Sequence, residues 1–218
     1  MTAPGAPPPT PRRPDRAVVR AWIGMVGVFY AVFVPVYFGA GAVAAQMGRA
    51  RVLAFPFEAG IPLVPWMIWP YLSIGTLFLL PLFHLEVDDI DRLSRRIAGS
   101  IVVAGVAFVA LPQRMLFPPR RVDGLEAPLF ALLDAVDTPH NLAPSLHVAI
   151  AGLIVLAVLR RVPSWLAALY ALWFAILSAS TVLVHQHHLV DVAAGLALAL
   201  AATAVRRPGG GGRTATRR

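Results

Sequence analysis

The sequence predicts an all-α integral membrane protein, a six-transmembrane-helix bundle with an active site at the extracytoplasmic side. Three observations lead there. Hydrophobic residues make up 58% of the 218 and charged residues only 14%, against about half and a quarter in a soluble domain. The apolar excess falls in blocks, most of which approach the roughly 20 residues a helix needs to cross a bilayer. Within most blocks no polar face recurs every turn, as it would on the surface helix of a soluble core.

Taken in order, the first block covers residues 21–45. It is too long for the core of a signal peptide and has no clear small-residue cleavage site, so it reads as a retained first span. The second covers 63–83, with Trp66, Trp69 and Tyr71 near one end, where an interfacial aromatic belt belongs. The third and fourth, 97–111 and 145–159, are short; 165–184 and 189–205 complete the set. Residues 1–17, rich in Pro, Ala and Thr, and 208–218, with their glycine run, read as disordered tails around one domain of residues 18–207. Glu86, Asp88, Asp89 and Asp91 beside Arg92, Arg95 and Arg96 read as a short solvated helix of mixed charge before the third span.

Six spans place both tails on one side. Fourteen of the 19 arginines fall in the tails, the 92–96 loop and the Arg160-Arg161 turn, and five in the opposite loops. By the positive-inside rule the tails of this multi-pass cell-membrane chain are cytoplasmic. The net charge of +8 comes from residues that flank apolar blocks rather than forming a basic stripe. The expected partner is therefore the membrane and not nucleic acid. With no cysteine, disulfides, thiol catalysis and thiolate metal sites are excluded.

The outward segments, 112–144 and 184–189, carry most of the unusual polar residues. An ionisable group beside a membrane span is a functional hypothesis in itself. Pro144 and Ser145 suit the first turn of a helix, whose N–H groups and dipole favour an anion such as phosphate. His147 follows two residues later. His187 and Asp191, four apart, share a helical face, so the carboxylate can hold one imidazole nitrogen and present the other as nucleophile or base. Arg114, Arg120 and Arg121 offer planar, permanently charged groups for phosphate oxygens. A nucleophile, its orienting carboxylate, a second histidine and a cationic cradle are the parts of a phosphoryl transfer that needs no metal or other cofactor.

These residues resemble a known family. Pro144-Ser145-Leu146-His147 is similar to the PSxH motif of the type 2 phosphatidic acid phosphatase superfamily. Ser180, His187 and Asp191 match the spacing of its third motif, SRxxxxxHxxxD. The resemblance covers spans two to six. It implies a lipid phosphate or isoprenoid phosphate substrate, with His187 as nucleophile, Asp191 orienting it, and His147 as general acid and base. Ser145 would be a phosphate ligand, and Ser180 belongs to the same binding set. Two departures stand out: Thr181 replaces the third motif's Arg, and Arg114 with Arg120 or Arg121 matches the first motif, KxxxxxxRP, only with shifted spacing. Ser180-Thr181 and the paired histidines before Asp191 look more like the inositolphosphotransferase branch, the inositol phosphorylceramide synthases, which tilts the expectation from hydrolysis towards transfer to an alcohol without fixing the acceptor. Two other readings stay open. The His185-Gln186-His187-His188 cluster has ligand types that suit zinc, and a lipid-binding or transport module would keep the fold without the reaction.

Overall fold

Proline and charge set where the helices of this chain begin and break. The structure, a computed structural model, describes residues 13–205, whose regular secondary structure is helical apart from one isolated bridge between Arg51 and Gln113. Helix α1 spans Arg16–Gln46. The Asp15 carboxylate accepts the Val18 N–H at 2.8 Å, a cap that starts the helix inside the expected tail of residues 1–17. The rest of both expected tails, residues 1–12 and 208–218, lies outside the described residues, as do residues 206–207 of the expected domain.

The expected second span, 63–83, is not one helix. A short turn at Pro65–Met67 leads into α2 (Ile68–Leu72), α3 (Ile74–Leu77) and α4 (Leu80–His84). Pro70 and Pro81 have no N–H to carry the ladder on, so the segment advances in single turns. It still traverses the bundle. Val64 donates to the Leu183 carbonyl at one end, and Leu85 shares a cleft with Arg13 and Arg161 at the other.

Helix α5, Val87–Ala110, starts ten residues before the expected third span at 97. Asp88 and Asp89 lie in its first turn, where the helix dipole favours acid, and Asp89 pairs with Arg92 and with Arg161. The expected short helix of mixed charge is thus the opening of α5. Helix α6 (Ala127–Val136) precedes α7 (Leu146–Leu159), α8 (Ser164–Leu183) and α9 (Leu189–Ala204).

Among the described residues, α1, α5 and α8 are long and apolar enough to cross a membrane, and α7 and α9 are shorter apolar helices. Helix α7 is apolar all round and buried along nearly its whole length, as a central helix must be. It packs on α5, α8 and α9, with α3 and α4 against it. Ile97, Ile101, Ala104 and Phe108 of α5 join Ile150, Leu153 and Ile154 of α7 in the core. Helix α1 lies along α5, so close that a Cβ at Gly105 would collide with Val36. Outward, most of α1 is not buried, and Val103, Val106, Leu169 and Leu172 are exposed. Trp66 and Trp69 stand exposed towards one end of the bundle and Trp165 at the other.

Candidate active site

The turn between α8 and α9 is built to stop one helix and start the next within a few residues. His185 takes φ +56, a backbone region that residues other than glycine rarely adopt. Its Nε2 donates to the Ile61 carbonyl at 3.0 Å, and its ring stacks on Phe117 at 3.9 Å. The N–H groups of Gln186 and His187 both donate to the Thr181 carbonyl at 3.0 Å, folding the turn back on the end of α8. His188 then caps α9: its N–H donates to Asp191 Oδ2 at 2.7 Å. The same oxygen lies 3.6 Å from His187 Nδ1. That separation exceeds a hydrogen bond, because the capping N–H holds the oxygen close to the helix start. Asp191 is fully buried. With its amide oriented to satisfy both neighbours, Gln113 donates to Asp191 Oδ1 and accepts the Ala143 N–H, each at 3.3 Å.

His147 arrives from the other side, as the second residue of α7. Pro144 precedes the helix and Ser145 is its N-cap, its hydroxyl accepting the Val148 N–H at 3.4 Å. The Ser145 N–H donates to the Asp191 carbonyl at 3.0 Å, so the starts of α7 and α9 are tied together. Only glycine fits beside that tie, since a Cβ at Gly195 would come within 2.5 Å of the Ser145 carbonyl oxygen. The His147 ring stacks on Tyr71 at 4.0 Å, and its Nε2 donates to the Tyr71 carbonyl at 2.9 Å. Nδ1 is thereby left as the nitrogen that can take or give a proton.

His147 and His187 line one cavity of about 600 Å³. Its polar end is shared by Tyr37, Asp137, Asn141 and Gln186, and the rest is an apolar passage along α1 and α3. Tyr37 donates to Asp137 at 2.5 Å, and Asn141 donates to the Tyr37 carbonyl at 2.7 Å, which fixes α1 against the loop before α7.

The remaining sequence-named residues are placed differently. Arg120 donates to the Val184 carbonyl at 3.1 Å and pairs with Asp134. Gln186, oriented to meet both neighbours, accepts from Arg120 and donates to Asp137 at 2.6 Å. Arg120 therefore sits one residue-contact behind the cavity wall. Arg114 and Arg121 are exposed and do not line the cavity. Ser145 and Ser180 are fully buried. The Ser180 hydroxyl donates to the Leu177 carbonyl of its own helix at 2.6 Å, and neither serine lines the cavity.

Sequence reasoning missed a second carboxylate, Glu58, which is fully buried. It accepts the Phe55 N–H at 2.8 Å and the Leu189 N–H at 2.9 Å. Its Oε2 lies 3.6 Å from His188 Nδ1. Leu116 donates its N–H to His188 Nε2 at 3.1 Å, so that nitrogen holds the lone pair and Nδ1 carries the proton towards Glu58. Burial pushes the imidazoles of both His185 and His188 below their ordinary range. The three histidines of the turn face different partners, and among the described residues no group of three or more His, Asp or Glu is placed to hold one metal ion. His140, which has no evident partner in the sequence, lies with Nδ1 2.8 Å from the Gln113 carbonyl. Comparison of the chain with protein-family models, with curated proteins and with solved structures finds no match.

Proposed function

We propose that this chain is a multi-pass membrane enzyme that moves the phosphoryl or phospho-head group of a lipid-type substrate through a phosphohistidine. The observation that carries the reading is that two histidines from distant parts of the chain close the polar end of one largely apolar cavity. Such a cavity suits a substrate with an apolar tail and one reacting polar group. His187, with Nδ1 turned to Asp191, attacks phosphorus through Nε2. As the P–N bond forms, the P–O bond to the leaving group breaks and His147 gives that oxygen a proton from Nδ1. His147, now neutral, takes the proton of a water or an alcohol, whose oxygen attacks phosphorus and frees His187.

Arg120 supplies positive charge to the phosphate from behind Gln186, its contact at the cavity wall, in preference to the exposed Arg114 and Arg121. The lean is towards the inositolphosphotransferase-like branch, with an alcohol as acceptor. In the bilayer the broken segment 63–84 and the shorter α7 and α9 join α1, α5 and α8 as six crossings. Backbone that is not helical at membrane depth is tolerated where it is buried in protein. The arginine-rich end is then cytoplasmic and the histidine end extracytoplasmic.

The test is a panel assay on detergent-purified protein with EDTA present. It follows phosphate release and head-group exchange from phosphatidic acid, isoprenyl diphosphate and phosphatidylinositol. Turnover that survives chelation is expected, with the product choosing between hydrolysis and transfer. Binding of these lipids with no product from any of them would sink the enzyme and leave a lipid-binding module.

A further inference from the structure

The shape of the cavity specifies more than an apolar tail. Its α1 wall is a single stripe, from Trp22 through Phe29 and Phe33 to Tyr37. Phe29 stacks on Phe33 at 5.2 Å and Phe33 on Tyr37 at 4.9 Å, so this wall is a ladder of rings. Fifteen residues separate Trp22 from Tyr37, which at 1.5 Å per residue is about 22 Å of passage. An extended chain advances about 1.2 Å per backbone bond, so roughly 18 carbons reach from the histidines to Trp22. Volume gives the same answer independently. A methylene occupies about the 30 Å³ of a water molecule, so 600 Å³ matches one chain of roughly that length.

Trp22 bounds the far end. Trp22 Nε1 donates to the Phe78 carbonyl at 2.7 Å, and Phe78 in turn packs on Phe29 with ring centroids 4.9 Å apart. The indole is thus held across the gap between α1 and the break from α3 to α4.

We infer that the cavity is a slot for a single long hydrocarbon chain, and that Trp22, fastened to Phe78, is the floor that sets the longest chain accepted. The inference rests on the lipid-phosphate reading above and names its substrate class: a phosphate carrying one unbranched or isoprenoid chain, in preference to a two-chain lipid. Because bilayer lipid is as apolar as the slot, lengthening a chain gains little. Selection comes from collision with the floor, where each methylene too many costs about tenfold or more.

The experiment uses n-alkyl monophosphates from 10 to 24 carbons, chain lengths that bracket the roughly 18 expected, with dioleoyl phosphatidate as the two-chain comparison. Protein is reconstituted in nanodiscs, and kcat/KM and binding by titration calorimetry are both read. The wild-type protein is expected to show a sharp cut-off and at least about tenfold preference for single chains. Trp22→Ala moves the cut-off several carbons longer, while Trp22→Phe, which keeps the bulk, leaves it nearly in place. Gly75 lines the slot and a Cβ there meets nothing within 4 Å, so Gly75→Leu folds and moves the cut-off shorter. A cut-off that neither variant moves, or equal use of phosphatidate, overturns the slot while the enzymatic reading stands. Binding with the cut-off but no turnover overturns the enzymatic reading alone, and no binding of any alkyl phosphate overturns both.

Discussion

His187→Ala is expected to lower turnover by a factor on the order of 10⁴ or more, with the fold intact. Loss of the nucleophile removes the covalent intermediate, and no neighbouring group can replace it: His147 has one nitrogen committed to the Tyr71 carbonyl, and His188 is fully buried against Glu58. The structural cost is small. His187 borders a cavity, so truncation enlarges an existing opening, and its Nδ1 makes no hydrogen bond to lose. Thermal unfolding in detergent should therefore shift by no more than about 1 kcal/mol. Asp191→Asn separates the orienting role from the capping one. Its remaining oxygen still accepts the His188 N–H, so α9 keeps its start, but the charge facing His187 is gone, and the rate should fall by about 10² to 10⁴. A His187→Ala protein that keeps more than a few per cent of wild-type turnover would refute the assignment.

The two histidines show what spacing can and cannot reveal. His187 and Asp191 are four apart, so their pairing follows from helical geometry alone. Forty residues of sequence separate His147 from His187, and it is the tie from the Ser145 N–H to the Asp191 carbonyl that brings their helix starts together. Ser145 illustrates the opposite case. A serine after proline at a helix start serves a phosphate ligand and a cap equally well in sequence, and here the hydroxyl meets Val148 N–H under α9.

Hydropathy found α1, α5 and α8, because an apolar surface with no polar face needs lipid or protein on every side. It misplaced their limits where charge and proline act. Asp15 starts α1 early, acids in the first turn extend α5 towards its N-terminus, and Pro70 and Pro81 break the second block that hydropathy alone joins. The cavity itself is not legible in composition. Phe29, Phe33 and Tyr37 follow the same apolar pattern whether a helix turns them to lipid or to a slot.

Glu58 was equally hidden, a lone acid between Phe-Pro-Phe and Ala-Gly, yet Glu58→Ala is expected to do the greatest structural damage. Its carboxylate accepts the N–H groups of Phe55 and Leu189, and removal strands both; Leu189 is the first residue of α9. A hydrogen bond to a charged group contributes about 1.5–3 kcal/mol, and the N–H groups of the exposed Phe55 and Leu189 turn in part to water, so losing both costs about 2–4 kcal/mol. The damage then spreads to the site. Leu189 N–H anchors the turn that carries Asp191, and a frayed first turn moves that carboxylate away from His187, so activity falls with stability. Glu58→Gln supplies one acceptor in place of two and should lie between. The check is thermal unfolding of the three proteins in one detergent, with turnover measured well below each midpoint. Unchanged melting of Glu58→Ala would mean that the N–H groups find other acceptors. A loss of turnover at full stability would instead give Glu58 a part in the chemistry, through His188.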